Sequence, residues 1–460
     1  MEYSASEVRA VQLACYVSAF ITPLLSTMMN LSLINIGEDF DVGSHDLAYI
    51  NSAFLLASVI FMVPFAKLAD IVGKKRLFVI GLLIVILGCF IACFAPAFWV
   101  VILGRAVIGV GASSLAMVSI SILTDVVPPE RRGTAIGYQT MFVYMGLSFG
   151  PAVGGALNDL IGWRLLFLIT VPMAVASTII ILTGFHKEIA VDKDGSFDLR
   201  NSVLYGAAML LSMGGVMNLP AVWAAVCVVI GILLLALFVR SQINNSRCLL
   251  NMGLFKNWTF SGSCLAAFMN YASSFSISFF LALYLQSIGG LTATEAGLLM
   301  IVQPVVQCIF TPFFGKLTDR ISNKIILPTV GMILTSICIL TYVFYTLDTP
   351  KYVVAMSMVI GGFGFAMFSA PNSTLIMSSV PKEHSSEASA VLSVMRQTGM
   401  MVSMGIAMTY ITVIMGSTDN LGPETYGLFL QVLELSMITC FIMCIIGTIA
   451  SISRGKPKQF

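Results

Sequence analysis

Residues 77–95 read LFVIGLLIVILGCFIACFA and follow the basic run Lys74, Lys75 and Arg76. The stretch has nineteen residues and no charged side chain. At about 1.5 Å per residue, a helix of this length crosses most of the roughly 30 Å hydrocarbon core of a bilayer. The stretch therefore predicts a transmembrane helix whose basic end faces the cytoplasm.

Similar stretches recur along nearly the whole chain of 460 residues, of which 58% are hydrophobic and 10% charged. A soluble domain carries about 25% charged residues. In lipid, only α-helices and closed β-barrels satisfy the backbone, and these runs lack the alternation of barrel strands. The sequence thus predicts an all-α integral membrane protein with fourteen spans. We place them at 11–34, 47–68, 77–95, 99–122, 136–157, 164–184, 200–217, 220–239, 259–286, 295–315, 325–346, 352–376, 388–414 and 427–451.

Basic residues concentrate in alternate loops, whereas the opposite loops carry acids such as Asp41 and Asp348. Basic loops lie on the cytoplasmic side. Both termini are then cytoplasmic, which requires an even number of spans, and we expect a multi-pass protein of the plasma membrane. Spans seven and eight are joined only by residues 218–220, so one long broken helix is the alternative there.

Two cytoplasmic loops share a sequence pattern: residues 67–70 read KLAD and residues 316–319 read KLTD. Each loop follows the second span of a six-span block, which predicts two repeats related by an axis along the membrane normal. We therefore expect a six-helix bundle at 1–190, a linker with an inserted two-helix hairpin at 191–250, and a second six-helix bundle at 251–460.

The loop after span two is similar to the signature G-x-L-a-D-x-x-G-[KR]-[KR], with Ala66 in the place of the first glycine. Span five carries Gly146 and a small-residue run to position 155, similar to the antiporter signature of exporters. Residues 371–372 (PN) and 396–399 (RQTG) also match. On these motifs the chain resembles the major facilitator superfamily, in its fourteen-span drug/proton antiporter branch, over nearly its full length.

The resemblance implies two sets of functional residues. A cytoplasmic conformational latch, in which Asp70 pairs with a cation or a helix N-terminus, consists of Asp70, Gly73, Lys74, Lys75, Asp125, Arg132 and Asp319, with Arg131 nearby. The antiporter-type helix motif consists of Gly146, Gly150, Pro151, Gly154 and Gly155. Small residues four apart let helices pack closely, and a proline bends the helix. The alternative for each set is ordinary interfacial charge and helix packing.

Two arginines lie inside predicted spans, Arg105 in span four and Arg396 in span thirteen. A charge at that depth costs several kcal/mol unless it faces water or a partner. We assign both to a substrate cavity, with Arg105 in a stretch similar to the family's R-x-x-x-G pattern. The predicted cavity residues are Thr27, Asn30, Arg105, Gln139, Asn270 and Arg396.

The first span departs from the family pattern, because Leu25 occupies the position where the branch usually has an aspartate that binds a proton. A proton coupler needs a carboxylate in a partly desolvated site. The remaining candidates are Glu434, Asp46 and Glu295. The alternatives are that Glu434 is a residue wetted at the outer rim, and that Asp46 and Glu295 are helix N-terminal charges favoured by the dipole.

The function predicted from these residues is secondary active export of small amphiphilic or hydrophobic molecules, of the multidrug type, by proton antiport with alternating access. One alternative is a transporter of an anionic metabolite or lipid-like molecule anchored by Arg105. Another is a membrane sensor or channel. We expect no enzymatic activity, cofactor, metal or nucleic acid, and a monomer whose partners are membrane lipids, a small-molecule substrate, and protons or another coupling ion.

Overall fold

The computed structural model describes residues 3–42, 44–189, 196–243, 248–416 and 424–454, without the side chains at 30–31, 33–34, 38, 44–48, 151–153, 155–156, 158–159 and 293–294. In these ranges the α-helices are α1 (Ala5–Met28), α2 (Leu33–Phe40), α3 (Ser44–Val72), α4 (Lys74–Cys93), α5 (Phe98–Val126), α6 (Arg132–Ile161), α7 (Trp163–Ile169), α8 (Val171–Gly184), α9 (Leu199–Met217), α10 (Val222–Gln242), α11 (Trp258–Leu283), α12 (Ala293–Met300), α13 (Val302–Arg320), α14 (Ile326–Val343), α15 (Lys351–Ser378), α16 (Ser385–Met415) and α17 (Tyr426–Ile452). The described part of the chain contains no strand, which agrees with the predicted all-α class.

Twelve helical segments of the described chain are long and apolar enough to cross a membrane. They coincide with twelve of the fourteen predicted spans. The other two predictions, spans five and seven, fall on helices α6 and α9, which are absent from the twelve. Helix α9 contains Arg200, Asn201 and several Gly and Ser residues, which lower the mean hydropathy of a window, whereas several side chains of α6 lie outside the described residues. A multi-pass helical membrane fold is therefore clear, whereas the number fourteen is not confirmed.

The first predicted span differs from the observed helix. We predicted one helix over 11–34, but α1 ends at Met28, a 3₁₀ turn covers Met29–Ser32, and α2 follows. The sequence at the break contains Asn30 and Ser32. Asn and Ser have lower helix propensities than Leu or Met, and this is a local reason for a break.

The chain divides into two compact units. The first unit comprises Met1–Met209, Leu234–Met252 and Val380–Val394, and the second comprises Leu210–Leu233, Gly253–Ser379 and Met395–Phe460. The boundaries pass through α9, α10 and α16. The predicted division at residues 190 and 250 stays a prediction.

In the first unit, α5 packs against α3 and α4, and α1 packs against α6 and α8. The contact between α4 and α5 depends on Gly88, where a Cβ would lie 2.7 Å from the backbone nitrogen of Ile108. Real Cβ atoms do not approach that closely, so this backbone contact needs glycine. The arrangement leaves Arg105 on α5 completely buried.

In the second unit, α14 packs against α15 and α17, α13 packs against α15, and α11 packs against α17. The second unit also contains the turn between α9 and α10, where a Cβ on Gly231 would lie 2.4 Å from the backbone nitrogen of Ser212. Helices α9 and α10 are thus two helices packed side by side and not one broken helix, whereas an inserted transmembrane hairpin stays a prediction. Most of α10 is exposed, including Val222, Ile232 and Leu233, as expected for a lipid-facing helix.

Candidate functional site

The glycines predicted on span five form the contact between α6 and α1. A Cβ on Gly150 would lie 1.8 Å from Thr27 Oγ1, and one on Gly146 would lie 2.6 Å from the carbonyl oxygen of Phe20. Thr27 Oγ1 donates to the carbonyl of Pro23 at 3.0 Å. Thr27, which we predicted to line a cavity, therefore fills the helix crossing in this structure. A Cβ on Gly154 would also clash with α1, whereas the surroundings of Pro151 and Gly155 lie outside the described residues.

Arg105 is fully buried and bonded to protein acceptors on two neighbouring helices. Its Nη1 donates to the carbonyl oxygen of Leu25 on α1 at 3.1 Å, and its Nη2 donates to Asn51 Oδ1 on α3 at 3.0 Å. Its Nε donates to the carbonyl of Ile50 at 3.3 Å, and the guanidinium lies 4.8 Å from the ring centroid of Phe54. These contacts tie α5 to α1 and α3, and they give no support to the prediction that Arg105 anchors an anion.

The predicted latch residues Asp70, Lys74 and Asp125 meet at one end of the first unit. Lys74 is completely buried, and its Nζ forms an ion pair with Asp125. Asp70 is only 4% exposed. A buried charge is tolerated when it is paired and its remaining donors or acceptors are hydrogen-bonded. The burial of each of these three residues therefore depends on the other two.

Two serines that the sequence reasoning missed complete this group. Ser385, the first residue of α16, accepts from Lys74 Nζ at 2.7 Å and donates to Asp125 at 3.0 Å. Ser386 donates to Asp70 Oδ1 at 2.6 Å. Serines a few residues after a proline, as Ser385 and Ser386 are after Pro381, are a helix-start signal, and that signal was the sequence clue to their position. We call Asp70, Lys74, Asp125, Ser385 and Ser386 the charge cluster.

A segment after α8, residues 185–189, lies against the start of α4 and holds the backbone of the cluster. Glu188 accepts from the backbone N–H groups of Lys75 at 2.8 Å and Arg76 at 3.2 Å. The backbone N–H of Lys74 donates to Ile189 O at 2.9 Å, and Lys75 Nζ donates to Phe185 O.

Gly73 has φ of 111°, and a Cβ there would lie 2.4 Å from the Glu188 side chain. Glycine is therefore required both by the backbone conformation and by the closeness of Glu188. The role of Glu188 was not predicted, since it lies more than a hundred residues from the α4 start in the chain.

The other predicted latch residues contribute less to this geometry. Arg132 begins α6, and its Nε is buried with no hydrogen-bond partner among the described residues. Asp319 lies at the end of α13 in the second unit, where it is half-buried. The matching positions of Asp70 and Asp319, near the ends of α3 and α13, agree with the predicted repeat.

The polar residues predicted inside the spans are mostly buried. Gln139 and Asn270 are 6% and 0% exposed, and their side-chain oxygens have no partner among the described residues. Asn270 Nδ2 contacts Met332 Sδ at 3.2 Å in the second unit. Arg396, also in the second unit, is half-buried and donates from Nη2 to Ser373 Oγ at 2.8 Å.

The candidate proton-coupling acids occupy different environments. Glu295 lies at the start of α12, where its carboxylate accepts from the backbone N–H of Thr292 at 2.9 Å in a capping box, as in the helix-terminus alternative. Glu434 lies on the exposed stripe of α17 that also carries Ile438 and Ile442. The side chains of Asp46 and of the predicted cavity residue Asn30 lie outside the described residues.

A groove of about 330 Å³ in the first unit was not predicted. It lies between α1 and α6 and is lined by Gln12, Tyr16, Arg131, Thr134, Ala135 and Tyr138. Tyr16 stacks on Phe142 with ring centroids 5.5 Å apart. The α6 residues that line the groove precede Gly146 in the chain. Its mixed aromatic and polar walls suit an amphiphilic molecule.

Comparison with known proteins agrees with a transporter. The family model described as Major Facilitator Superfamily matches residues 15–255 and 263–458. Riboflavin transporter RibZ of Clostridioides difficile (strain 630) is 27% identical over 383 residues, which are 83% of this chain and 83% of the relative. Multidrug resistance protein Stp of Mycobacterium tuberculosis (strain ATCC 25618 / H37Rv) is 24% identical over 84% of this chain and 73% of its own. Lincomycin resistance protein LmrB of Listeria monocytogenes serovar 1/2a is 22% identical over 96% of this chain and 95% of the relative.

Solved structures share the fold at low identity. The human organic anion transporter MFSD10 (TETRAN) superposes with a TM-score of 0.69 at 12% identity, over 97% of this chain and 99% of that one. The proton:xylose symporter XylE superposes with a TM-score of 0.69 at 14% identity, over 97% of this chain and 95% of that one. Because the family model covers nearly the whole chain and its fold is that of solved members, the chain belongs to the Major Facilitator Superfamily of membrane transporters.

Proposed function

We propose that the chain is a secondary active transporter that exports small amphiphilic molecules in exchange for protons, through alternating access and with fourteen spans. The observation that carries the proposal is the charge cluster, in which Lys74 and two carboxylates are buried under the hydroxyls at the start of α16. Buried charges are stable only in the arrangement that satisfies their hydrogen bonds. When those hydrogen bonds break, the charged groups are more stable in contact with water. Such a cluster suits a protein that alternates between two states.

The direction and the substrate class rest on other observations. The close contact of Gly146 and Gly150 with α1 agrees with the exporter-type motif, and two of the relatives are named for drug resistance. The groove between α1 and α6 offers aromatic walls next to Arg131. Since another relative is named a riboflavin transporter, riboflavin belongs in the substrate panel.

The test is transport into inverted membrane vesicles that contain the full chain, with rhodamine 6G, fluorescein and riboflavin as probes. Uptake that rises with an imposed pH gradient, acid inside, supports proton-linked export. Equal uptake after the gradient is collapsed by an ionophore contradicts proton coupling, and absence of uptake of every probe contradicts export of this class.

Glu434→Gln tests one of the three predicted coupling candidates, the one that lies within a turn-free part of a described span. Its matched control is Glu424→Gln, because Glu424 is an exposed acid just before α17. If Glu434 carries the proton, its variant loses the dependence on the pH gradient and the control keeps it. A Glu434 variant that responds to the gradient like the control removes Glu434 from the mechanism.

A further inference from the structure

The two arginines inside the spans differ in how their charge is satisfied. Arg105 donates from all three of its nitrogens to protein acceptors. Arg396 makes one side-chain hydrogen bond, from Nη2 to Ser373 Oγ, and its Nε is buried with no partner among the described residues. No described carboxylate forms an ion pair with Arg396. An unpaired charge inside a membrane is costly, and of the two arginines inside the spans only Arg396 has a buried nitrogen without an acceptor among the described residues.

A second unpartnered donor lies on α15, the helix whose Ser373 accepts the hydrogen bond of Arg396. Ser369 and Ser373 are one turn apart on α15 and are 2% and 1% exposed. Ser373 Oγ donates its one hydroxyl proton to the carbonyl of Ser369 at 2.8 Å. It accepts a hydrogen bond from Arg396 and has no second proton to donate to a ligand. Ser369 Oγ is buried with no partner among the described residues. Buried hydroxyls are normally hydrogen-bonded, so an unpaired one on the helix that binds Arg396 indicates a missing acceptor.

Aromatic rings form the other side of this site. The guanidinium carbon of Arg396 lies 5.7 Å from the ring centroid of Tyr271 on α11, and Phe365 meets Tyr271 edge-on at 5.8 Å. Phe365 lies one turn before Ser369 on α15. A Cβ on Gly399 would lie 3.0 Å from Tyr271 Cβ and 2.7 Å from the carbonyl of Phe268. Gly399 thus lets α16 approach α11, which explains the spacing of Arg396 and Gly399 in the RQTG sequence.

We propose that Arg396, Ser369 and Tyr271 recognise the anionic group and adjoining ring of an aromatic organic anion, so that Arg396 rather than Arg105 selects anionic substrates. The three residues belong to the second unit. The guanidinium and hydroxyl donate to the anion, and the tyrosine ring packs against the aromatic part of the ligand. This inference rests on the proposed transport function and names the substrate class.

The test uses fluorescein and rhodamine 6G, which share a xanthene ring system but carry opposite charge. Binding to the full chain in detergent is measured by fluorescence polarisation. We expect fluorescein to bind and Arg396→Gln to weaken that binding about tenfold or more, with a smaller loss for Arg396→Lys. Ser369→Ala weakens it about threefold to tenfold. Rhodamine 6G binding does not weaken in Arg396→Gln.

The matched control is Arg320→Gln, because Arg320 is an exposed arginine at the end of α13. The proposal is overturned if wild-type protein does not bind fluorescein, or if Arg396→Gln binds it within twofold of wild type. Equal loss of both dyes in Arg396→Gln also overturns it, because that outcome marks a structural arginine. Wild-type protein that binds fluorescein but moves no probe in vesicles contradicts the transport function and leaves the site standing.

Discussion

Arg105 Nη1 donates to the backbone carbonyl of Leu25, and the two atoms are 3.1 Å apart. Leu25 stands where the fourteen-span branch that the sequence resembles usually carries an aspartate. The partner of the arginine is therefore a neutral dipole, and the Leu25 side chain is fully buried. A carbonyl cannot take up a proton in the physiological range. This contact between α1 and α5 is thus made without a titratable partner on α1.

Arg105→Gln is expected to destabilise the protein without changing its preference for charged substrates. The substitution removes hydrogen bonds to Leu25 and Ile50 inside the first unit, at a cost of about 1–3 kcal/mol. Thermal unfolding in detergent measures the loss, and fluorescein and rhodamine 6G binding measure the preference. A variant of normal stability that loses only fluorescein would restore Arg105 as the anion anchor.

Ser386→Ala is expected to weaken the charge cluster, because Asp70 loses a hydroxyl donor at 2.6 Å while remaining buried. The cost is about 1–3 kcal/mol in the stability of the charge cluster. Amide hydrogen exchange at the start of α16 should rise, and the transport rate should change with it. Ser196→Ala, at an exposed position before α9, serves as the control. Unchanged exchange in Ser386→Ala contradicts a stabilising role for this hydrogen bond.

Glu188→Ala is expected to free the start of α4. The carboxylate is the acceptor for the Lys75 and Arg76 backbone N–H groups, so the loss resembles the loss of a helix cap and costs about 0.5–2 kcal/mol. Amide exchange at residues 75 and 76 should accelerate. Glu188→Gln retains one acceptor oxygen and should fall between Glu188→Ala and wild type, whereas identical exchange in all three proteins would rule out this role.

Gly150→Ala is expected to separate α1 from α6, since its Cβ would lie 1.8 Å from Thr27 Oγ1. Overpacking of this kind costs about 1–3 kcal/mol. Adding Thr27→Ala should recover part of the thermal stability, because the clashing atom belongs to that side chain. Gly214→Ala, on α9 with no atom within 4 Å of its Cβ, is the control. A Gly150 variant as stable as the control would contradict this prediction, because it would show that α1 and α6 shift enough to accommodate the added Cβ.

The hydrogen bonds between Asp39 and the start of α7 are expected to weaken in acid. Hydrogen bonds from Trp163 Nε1 and Arg164 Nη1 lower the pKa of the Asp39 carboxyl, and the group lies outside the spans. Because the folded-state pKa is below the unfolded value of about 3.9, the stabilisation is complete above that pH and disappears as pH falls through the folded value.

Thermal unfolding between pH 6 and 3 measures this effect of Asp39. Asp39→Asn should be less stable than wild type at pH 6 and should approach it as the pH falls below about 4. Asp348→Asn, at an exposed position before α15, controls for the loss of any one carboxylate. A difference between Asp39→Asn and wild type that does not shrink in acid contradicts the assignment to Asp39.

The sequence predicted what is encoded locally. Apolar runs such as 77–95 predicted helices because the bilayer imposes a length and forbids unpaired backbone. Asp70, Lys74 and Asp125 were recognised as one group through the family resemblance, and they do meet in the structure. The prediction of one helix over 11–34 was wrong, because hydropathy does not register a turn between two apolar segments.

The partners of these groups could not be predicted in the same way. Ser386 lies 316 positions from Asp70, and Glu188 lies 113 positions from Lys75. The acceptors of Arg105 include the backbone carbonyls of Leu25 and Ile50, and every residue has a carbonyl. A backbone acceptor leaves no mark in residue identity, so no motif could have named it.

The sequence alone therefore determined the class of this protein: its membrane helices and the charged residues placed where lipid makes charge costly. Tertiary structure decided how each charge is satisfied. Arg105 and Arg396 look alike in the sequence, both being arginines in apolar helices. Packing surrounds Arg105 with fixed carbonyl dipoles and leaves Arg396 Nε without an acceptor among the described residues. The reason is physical, because the cost of a buried charge depends on the atoms within about 4 Å, and only the fold brings those atoms together.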